Sequence, residues 1–134
     1  MTAADTSVAV AAFASWHESH RVAREALREG AVLVAHCALE TYSVLTRLPM
    51  PHRAPRELVH AFLAEQFRDP HLVLEADEQR RLTGRLVELR VDGGAVYDAL
   101  VALTASAAGA TLISCDRRAL VTYERCGAAV RVIA

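Results

Sequence analysis

Four acidic residues of this chain stand where short apolar segments give way to helical patterns. They are Asp5, Glu40, Asp98 and Asp116. Asp5 directly follows the apolar segment Thr2–Ala4, and Asp116 follows Thr111–Ser114 after one intervening residue. The other two acids fall in the first turns of predicted helices. Because the carboxyl ends of parallel strands meet at one edge of a sheet, we expect the four side chains to share one cleft.

Four carboxylates in one cleft repel each other, so either some of them stay protonated or a divalent cation neutralises them. A ligand set made only of oxygens suits magnesium or manganese better than zinc. Asp98 carries this argument furthest, because the helix around it is otherwise apolar and a lone buried carboxylate is costly without a cationic partner. The alternative interpretation is that each acid only stabilises a helix N-terminus, where negative charge is favourable.

Predicted strands and helices alternate along the chain, and these elements must position the four acids. Short apolar runs predict buried strands at Thr2–Ala4, Ala31–Val34, His71–Leu74, Thr111–Ser114 and Val130–Ile133. Helical patterns lie between them at Ser7–Ala14, His17–Glu29, His36–Leu48, Pro55–Phe67, Glu75–Arg90, Ala95–Ala108 and Arg117–Cys126. Gly30, Gly109 and Gly127 stand where helices are expected to end. The alternation predicts a single α/β domain over residues 1–134, with a mostly parallel sheet of about five strands in a three-layer α/β/α arrangement.

Composition excludes several classes of protein. A net charge of −1 excludes a uniformly basic protein that coats nucleic acid. All basic residues other than histidine are arginine, which excludes mechanisms that need lysine, such as a Walker-type phosphate loop or a Schiff base. The three cysteines form no CxxC pair, and we interpret them as small buried residues of a protein in a reducing cytoplasm. No apolar run long enough for a membrane span and no export signal is recognised.

The stretches that carry the acids have a recognisable pattern. They are Asp5-Thr6-Ser7, Glu40-Thr41-Tyr42-Ser43-Val44-Leu45-Thr46-Arg47-Leu48-Pro49, Tyr97-Asp98-Ala99-Leu100-Val101-Ala102 and Ser114-Cys115-Asp116-Arg117-Arg118. Together they resemble the PIN domain, and more narrowly the VapC toxins of bacterial VapBC toxin–antitoxin pairs. The resemblance runs along the whole chain, with the four acids in the family's order. It implies a doubly wound α/β domain that cleaves RNA with magnesium or manganese and is held inactive by a cognate antitoxin.

The resemblance also implies a role for each acid. Asp5 and Asp98 would be the principal metal ligands. Asp116 would bind the metal directly or through water, and Glu40 would complete the cluster through water. The hydroxyl groups beside the acids would orient a metal-bound water or a phosphate oxygen; these are Thr6, Ser7 and Ser114.

Partners follow from the same resemblance: a second copy of the chain, a VapB-like antitoxin and an RNA substrate, either a transfer RNA or a ribosomal RNA loop. Single-stranded loops are the expected target, because their bases are open to recognition. We expect antitoxin contact on the helices around Trp16 and on the pair Ala38–Leu48 and Arg56–Phe67. Trp16 and Phe13 themselves are interpreted as core or dimer-surface residues rather than base-stacking platforms.

Other functions were weighed against this one. A phosphoacceptor receiver domain needs a lysine, which the chain lacks, and a haloacid-dehalogenase-type phosphatase needs an Asp-x-Asp pair, which Asp5-Thr6-Ser7 does not supply. A catalytically silent PIN-like interaction module remains an alternative, although such a module has no reason to keep four mutually repelling acids. His36 near Glu40 is interpreted as a cap or a supporting partner, not as a metal ligand. Arg117 and Arg118 either contact the RNA backbone or form a solvated face.

Overall fold

The computed structural model describes residues 1–134. The elements follow in this order along the chain: β1 Thr2–Ala4, α1 Thr6–Phe13, α2 His20–Arg28, β2 Val32–Leu33, α3 Ala35–Arg47, α4 Arg56–Gln66, α5 Ala76–Arg80, α6 Leu82–Leu89, α7 Ala95–Ala107, β3 Thr111–Ser114, α8 Leu120–Arg125 and β4 Val130–Val132. Helices thus separate every pair of strands that follow each other along the chain, which is the arrangement that parallel pairing requires.

The four strands form one parallel sheet in the order β2-β1-β3-β4. Ala3 of β1 pairs with Val32 on one side and with Leu112 on the other. The central strands read as apolar runs because both of their faces are covered, and Ala3, Ala4, Leu112 and Ile113 are completely buried. The α/β class, the parallel pairing and the flanking helices are therefore confirmed.

The strand order creates a crevice beside β1. The chain leaves β1 through α1 and α2 to reach β2 on one side, whereas β3 pairs with β1 on the other side. Open parallel sheets bind their ligands at such a reversal of strand order, outside the carboxyl ends of the strands. Asp5 follows β1 directly and Asp116 lies two residues beyond the end of β3, so both stand at this crevice.

Helix ends follow the predicted glycine pattern. Gly30, Gly109 and Gly127 all have positive φ angles, of 98°, 69° and 75°. After α7, the Gly109 N–H donates to the Ser106 carbonyl at 3.0 Å, and the Ala110 N–H donates to the Ala105 carbonyl at 2.9 Å. These two bonds satisfy the last carbonyls of the helix and turn the chain into β3. The predicted helix-ending glycines are confirmed.

The run His71–Leu74, predicted to be the third of five strands along the chain, does not form a strand. Leu72 alone forms an isolated parallel bridge with Val34, in which its N–H donates to the Leu33 carbonyl and its carbonyl accepts from the Ala35 N–H, both at 2.9 Å. The reason is the short length of β2, the strand at this edge of the sheet. Because β2 ends at Leu33 and α3 begins at Ala35, the chain there is not extended for long enough to pair with a full strand. The sheet therefore has four strands instead of about five.

Four predicted helices match the structure to within one residue at each end, and the other three differ by more. The stretch predicted as one helix over Glu75–Arg90 is divided into α5 and α6 at Arg81. The helix predicted to begin at Arg117 begins at Leu120, because Asp116 holds the preceding residues in a turn. The second helix starts at His20 and not at His17. The His17 imidazole instead accepts a hydrogen bond from the Ser19 N–H at 3.0 Å in the connecting turn.

Two further expectations concern the cysteines and membrane insertion. All three cysteines are free; Cys37 and Cys126 are buried, whereas Cys115 is half-buried. None of the helices combines the length and the apolar character needed to cross a lipid bilayer.

Candidate active site

A cleft of about 570 Å³ opens at the carboxyl ends of β1 and β3. All four predicted acids line it. They are joined by Thr6, Ser7, Val10, His17, Cys37, Val44, Val101, Cys115, Arg118 and Tyr123. Arg118 is the only arginine in this lining. The sequence separation of the acids spans most of the chain, so the fold itself brings them to one place.

Asp5 is almost completely buried at the base of this cleft, with 2% of its surface exposed. It is the N-cap of α1, and its Oδ1 accepts hydrogen bonds from the Val8 N–H at 3.2 Å and from the Ser7 hydroxyl at 2.5 Å. Its Oδ2 accepts a hydrogen bond from the Tyr123 hydroxyl at 2.8 Å. Burial raises the pKa of Asp5, although these donors oppose the rise.

Asp116 organises the turn between β3 and α8. Its Oδ1 accepts hydrogen bonds from the backbone N–H groups of Arg118 at 2.9 Å and Ala119 at 3.2 Å. Its Oδ2 lies 3.7 Å from the Arg118 guanidinium, which is 92% exposed. An exposed pair at this distance contributes little to stability. The interpretation of these acids as N-terminal caps therefore accounts for Oδ1 of Asp5, whereas Oδ1 of Asp116 holds the turn that precedes α8.

Glu40 is held from two sides on α3. Its Oε1 accepts a hydrogen bond from the Thr6 hydroxyl at 3.1 Å and lies 3.5 Å from Nε2 of His36. The His36 ring in turn stacks on Tyr97, with ring centroids 5.5 Å apart and an angle of 5° between the planes. His36 thus supports an acid and stands beside the cleft, as its sequence position suggested. Oε2 of Glu40 has no hydrogen-bond partner within the protein.

Asp98 is half-buried on α7 and makes neither a hydrogen bond nor an ion pair through its side chain. Burial raises its pKa, and the negative charges of Asp116, Glu40 and Asp5 raise it further, while Arg118 opposes them. The cap interpretation fails for this residue, because no backbone N–H bonds to its carboxylate. Asp98 is thus the member of the cluster that has no hydrogen-bond or ion-pair partner within the protein.

The predicted supporting hydroxyls are engaged with the protein itself. The Ser7 hydroxyl accepts from the Cys115 N–H at 2.8 Å while it donates to Asp5. Ser114 is completely buried behind the cleft wall, where its hydroxyl accepts from the Asp116 N–H at 2.9 Å and lies 3.3 Å from the Ser7 hydroxyl. Ser114 therefore shapes the loop that carries Asp116. It is not part of the cleft lining, whereas we expect from the sequence that its hydroxyl orients a metal-bound water or a phosphate oxygen.

The donor set fits a hard divalent cation. Oxygen atoms of four acids face one cleft, and both oxygens of Asp98 and one oxygen of Glu40 are free to accept a ligand. No three His, Cys, Asp or Glu side chains are placed to hold one ion together as they stand. The acids thus line the cleft without forming a ready-made chelate.

Tyr123 is the residue of this cleft that sequence reasoning missed. It lies in α8, 118 positions from its partner Asp5, and nothing in its local sequence signals a polar role. Two aromatic residues that the sequence singled out lie outside the cleft lining. Phe13 packs edge-on against Phe62 with centroids 5.4 Å apart, whereas Trp16 is 49% exposed and packs against His52 at 4.3 Å.

Comparison with known proteins agrees with this geometry. Residues 3–124 match the PIN domain. Ribonuclease VapC40 of Mycobacterium tuberculosis, from strains H37Rv and CDC 1551, is 54% identical over 133 residues, which cover 99% of this chain and 99% of the relative. Ribonuclease VapC27 of strain H37Rv is 45% identical over 135 residues, which cover 98% of this chain and 96% of that relative. With a family match over most of its length and relatives of this similarity, the chain belongs to the PIN-domain family, in its VapC group.

Proposed function

We propose that this chain is the toxin of a VapBC pair: a cytoplasmic endoribonuclease that uses magnesium, or manganese in its place, and stops translation until an antitoxin neutralises it. The single observation that carries the metal-dependent chemistry is the cleft in which four acids from different parts of the chain meet with only one arginine. The relatives that carry the name ribonuclease support RNA as the substrate. The three free cysteines support a reducing compartment.

The charge of the cleft explains why a cation is needed. A phosphodiester is an anion, and four carboxylates with one exposed arginine would repel it. When bound, a magnesium ion polarises the scissile phosphate and activates water for in-line attack.

The protein's own residues would divide the remaining work. Asp5 and Asp98 would hold the ion, because Asp5 is fixed by its hydrogen bonds and Asp98 is unpartnered. Glu40 and Asp116 would complete the cluster directly or through water. Thr6 and Ser7 keep Glu40 and Asp5 in place by hydrogen bonds. Ser114 does the same for the loop before Asp116.

Arg118 is suited to contact the RNA backbone. It lies on the cleft lining, its side chain is 92% exposed, and its 3.7 Å contact with Asp116 is weak enough to exchange for a phosphate oxygen. Such a contact positions the backbone without reading the base sequence. A single-stranded loop of a transfer RNA or ribosomal RNA is the substrate class we assign to it.

Neutralisation would use the same cleft. An antitoxin arginine that reached Asp98 would supply the cationic partner that this carboxylate lacks within the protein. The exposed Trp16 and the helices α3 and α4 form the surface on which we place the antitoxin. We also propose that the toxin pairs with a second copy of itself, as the family resemblance implies.

The metal requirement is tested by cleavage of RNA with purified protein. Chelator in excess should abolish cleavage, and magnesium or manganese should restore it. Calcium should not, because its larger and looser coordination shell positions the attacking water poorly. The Asp98→Asn variant serves as the inactive control against contaminating nucleases. Cleavage undiminished in chelator would contradict the metal mechanism, and a protein that cuts no RNA under any of these conditions would favour the silent interaction module.

A further inference from the structure

The base of the cleft contains a tyrosine whose hydroxyl bonds directly to one of the acids. Tyr123 is 2% exposed, lies in α8, and donates a hydrogen bond of 2.8 Å to Oδ2 of Asp5. We propose that Tyr123 is a positioning residue that fixes the Asp5 carboxylate in the orientation needed to bind the divalent cation. This inference rests on the metal site of the proposed function.

Tyr123 completes the hydrogen bonding that orients Asp5. The Ser7 hydroxyl and the Val8 N–H both bond to Oδ1, so without Tyr123 only one of the two oxygens would be restrained. With donors on both oxygens, the plane of the carboxylate is fixed. An ionised carboxylate has about four acceptor positions, so three donors leave capacity for a further ligand.

The backbone around Tyr123 is itself restrained at both ends. Its N–H donates to the Ala119 carbonyl at 3.0 Å, and its carbonyl accepts from the Ala128 N–H at 3.1 Å. The Ala119 N–H bonds in turn to the carboxylate of Asp116. A continuous set of hydrogen bonds therefore connects Asp116 to Asp5 through one end of α8, and two acids of the cluster are placed relative to each other by the same helix.

Packing alone does not account for the hydroxyl. A phenylalanine ring would fill the same space in the core, and it would avoid burying a polar group that needs a partner. Supporting hydrogen bonds of this kind orient metal ligands in proteins, and their loss typically costs about 10–100-fold in metal affinity or activity.

The test compares Tyr123→Phe with the control variant Thr122→Val in the full-length protein. Thr122 lies beside Tyr123 on α8, outside the cleft lining, so this variant also removes one hydroxyl from the same helix. Binding of manganese is measured by the electron paramagnetic resonance signal of the free ion. We expect the dissociation constant to rise by about tenfold or more in Tyr123→Phe and to stay within twofold of the parent in Thr122→Val. At saturating RNA the metal concentration for half-maximal cleavage should rise in parallel, while KM for RNA stays unchanged.

A second measurement keeps the proposal falsifiable if Tyr123→Phe does not fold. The chain has only three tyrosines, so their carbon-13 ring signals can be assigned by removing Tyr42 and Tyr97 in turn. Magnesium added to the labelled parent should shift the Tyr123 signal and leave that of Tyr42 in place. Unchanged manganese affinity in a folded Tyr123→Phe protein, or a Tyr123 signal that magnesium does not move, would overturn the role of Tyr123 alone. A parent protein that binds no manganese would overturn the metal site and this inference together.

Discussion

Asp98 differs from the other three acids in what the protein does with its charge. Asp5 accepts a backbone hydrogen bond at the start of α1, Asp116 accepts two in the turn before α8, and Glu40 accepts a hydrogen bond from Thr6. Each of these carboxylates therefore has a structural role. Asp98 has no such bond and faces three other negative groups. A charge that the folded protein leaves uncompensated lowers its stability, and proteins keep such groups where a ligand supplies the compensation.

Replacement of Asp98 by asparagine should therefore leave the metal-free protein as stable as the parent or make it more stable. The raised pKa gives the effect a pH dependence. Below the ordinary value of 3.8, Asp98 is protonated in both the folded and the unfolded states, and the two proteins should melt alike. As the pH rises through the interval above 3.8, the unfolded chain loses its proton first, so the parent loses stability that Asp98→Asn retains. Melting temperatures recorded across this range without metal measure the difference.

The same variant should lose magnesium-induced stabilisation and RNA cleavage together, because an amide is a poorer magnesium ligand than a carboxylate. Asp92→Asn is the matched control, since Asp92 is an exposed acid outside the cleft. It should melt and cut RNA like the parent. An Asp98→Asn protein that melts lower at neutral pH yet still cuts RNA would show that Asp98 is a structural carboxylate.

The positions of the four acids were predictable from the sequence for a simple reason. Each stands just after a strand or in the first turns of a helix, and parallel strands bring those points to one edge of the sheet. Tyr123 was not predictable, because its partner is 118 residues away and the contact depends on how the fold places α8 relative to Asp5. Ser114 shows the reverse case. Its position near Asp116 is evident from the sequence, but its complete burial behind the cleft wall depends on packing and on hydrogen bonds that the sequence does not specify.

At the scale of elements, the helix ends connect the acids to the sheet. The α7 helix carries Asp98 and ends at Ala107, and the chain then turns at Gly109 into β3 on the way to Asp116. The α6 helix ends with the same two hydrogen bonds, from Arg90 N–H to the Val87 carbonyl and from Val91 N–H to the Leu86 carbonyl. There, however, the left-handed position is occupied by Arg90, the one residue other than glycine with positive φ, at 59°.

Substitutions at the left-handed positions that end α6 and α7 should change the free energy of unfolding in opposite directions. Gly109→Ala should lower the free energy of unfolding by about 1–2 kcal/mol, because a Cβ atom disfavours the left-handed conformation. Space is not the cause, since nothing lies within 4 Å of the added atom. Arg90→Gly should raise the free energy of unfolding by about 1 kcal/mol for the same reason in reverse. Denaturant unfolding measures both; a Gly109→Ala protein as stable as the parent would contradict the argument.

The elements also show where sequence patterns mislead. The run His71–Leu74 has the apolar composition of a strand, yet only Leu72 pairs. Strand formation depends on the length of the neighbouring edge, and the early start of α3 at Ala35 removes that edge. Helices were predicted more successfully, because their hydrogen bonds are local and their glycine ends are marked in the sequence. The division of Glu75–Arg90 at Arg81 has no comparable sequence signal.

At the scale of the whole molecule, RNA binding depends more on where the charges lie than on the net charge. A net charge of −1 gives no general attraction to RNA, and the active-site cleft is the most acidic place that RNA would have to enter. Under the proposed function, binding to RNA would depend on the divalent cation and on local arginines such as Arg118. A basic segment of the antitoxin would enter the same acidic cleft, so substrate and antitoxin would compete for one site.

This competition predicts the behaviour of living cells. Expression of the chain alone should arrest growth, because its RNA substrate is cleaved and translation stops. Expression of Asp98→Asn should not arrest growth, although we expect that protein to fold and to present the same surface around Trp16.

Co-expression of the antitoxin encoded beside the toxin should restore growth. Replacing an antitoxin arginine that reaches the cleft should weaken the rescue while leaving the two proteins able to bind. Growth is measured as culture density after induction, with toxin levels followed by immunoblot. Normal growth at full levels of the unaltered chain, with no antitoxin present, would contradict the toxin assignment.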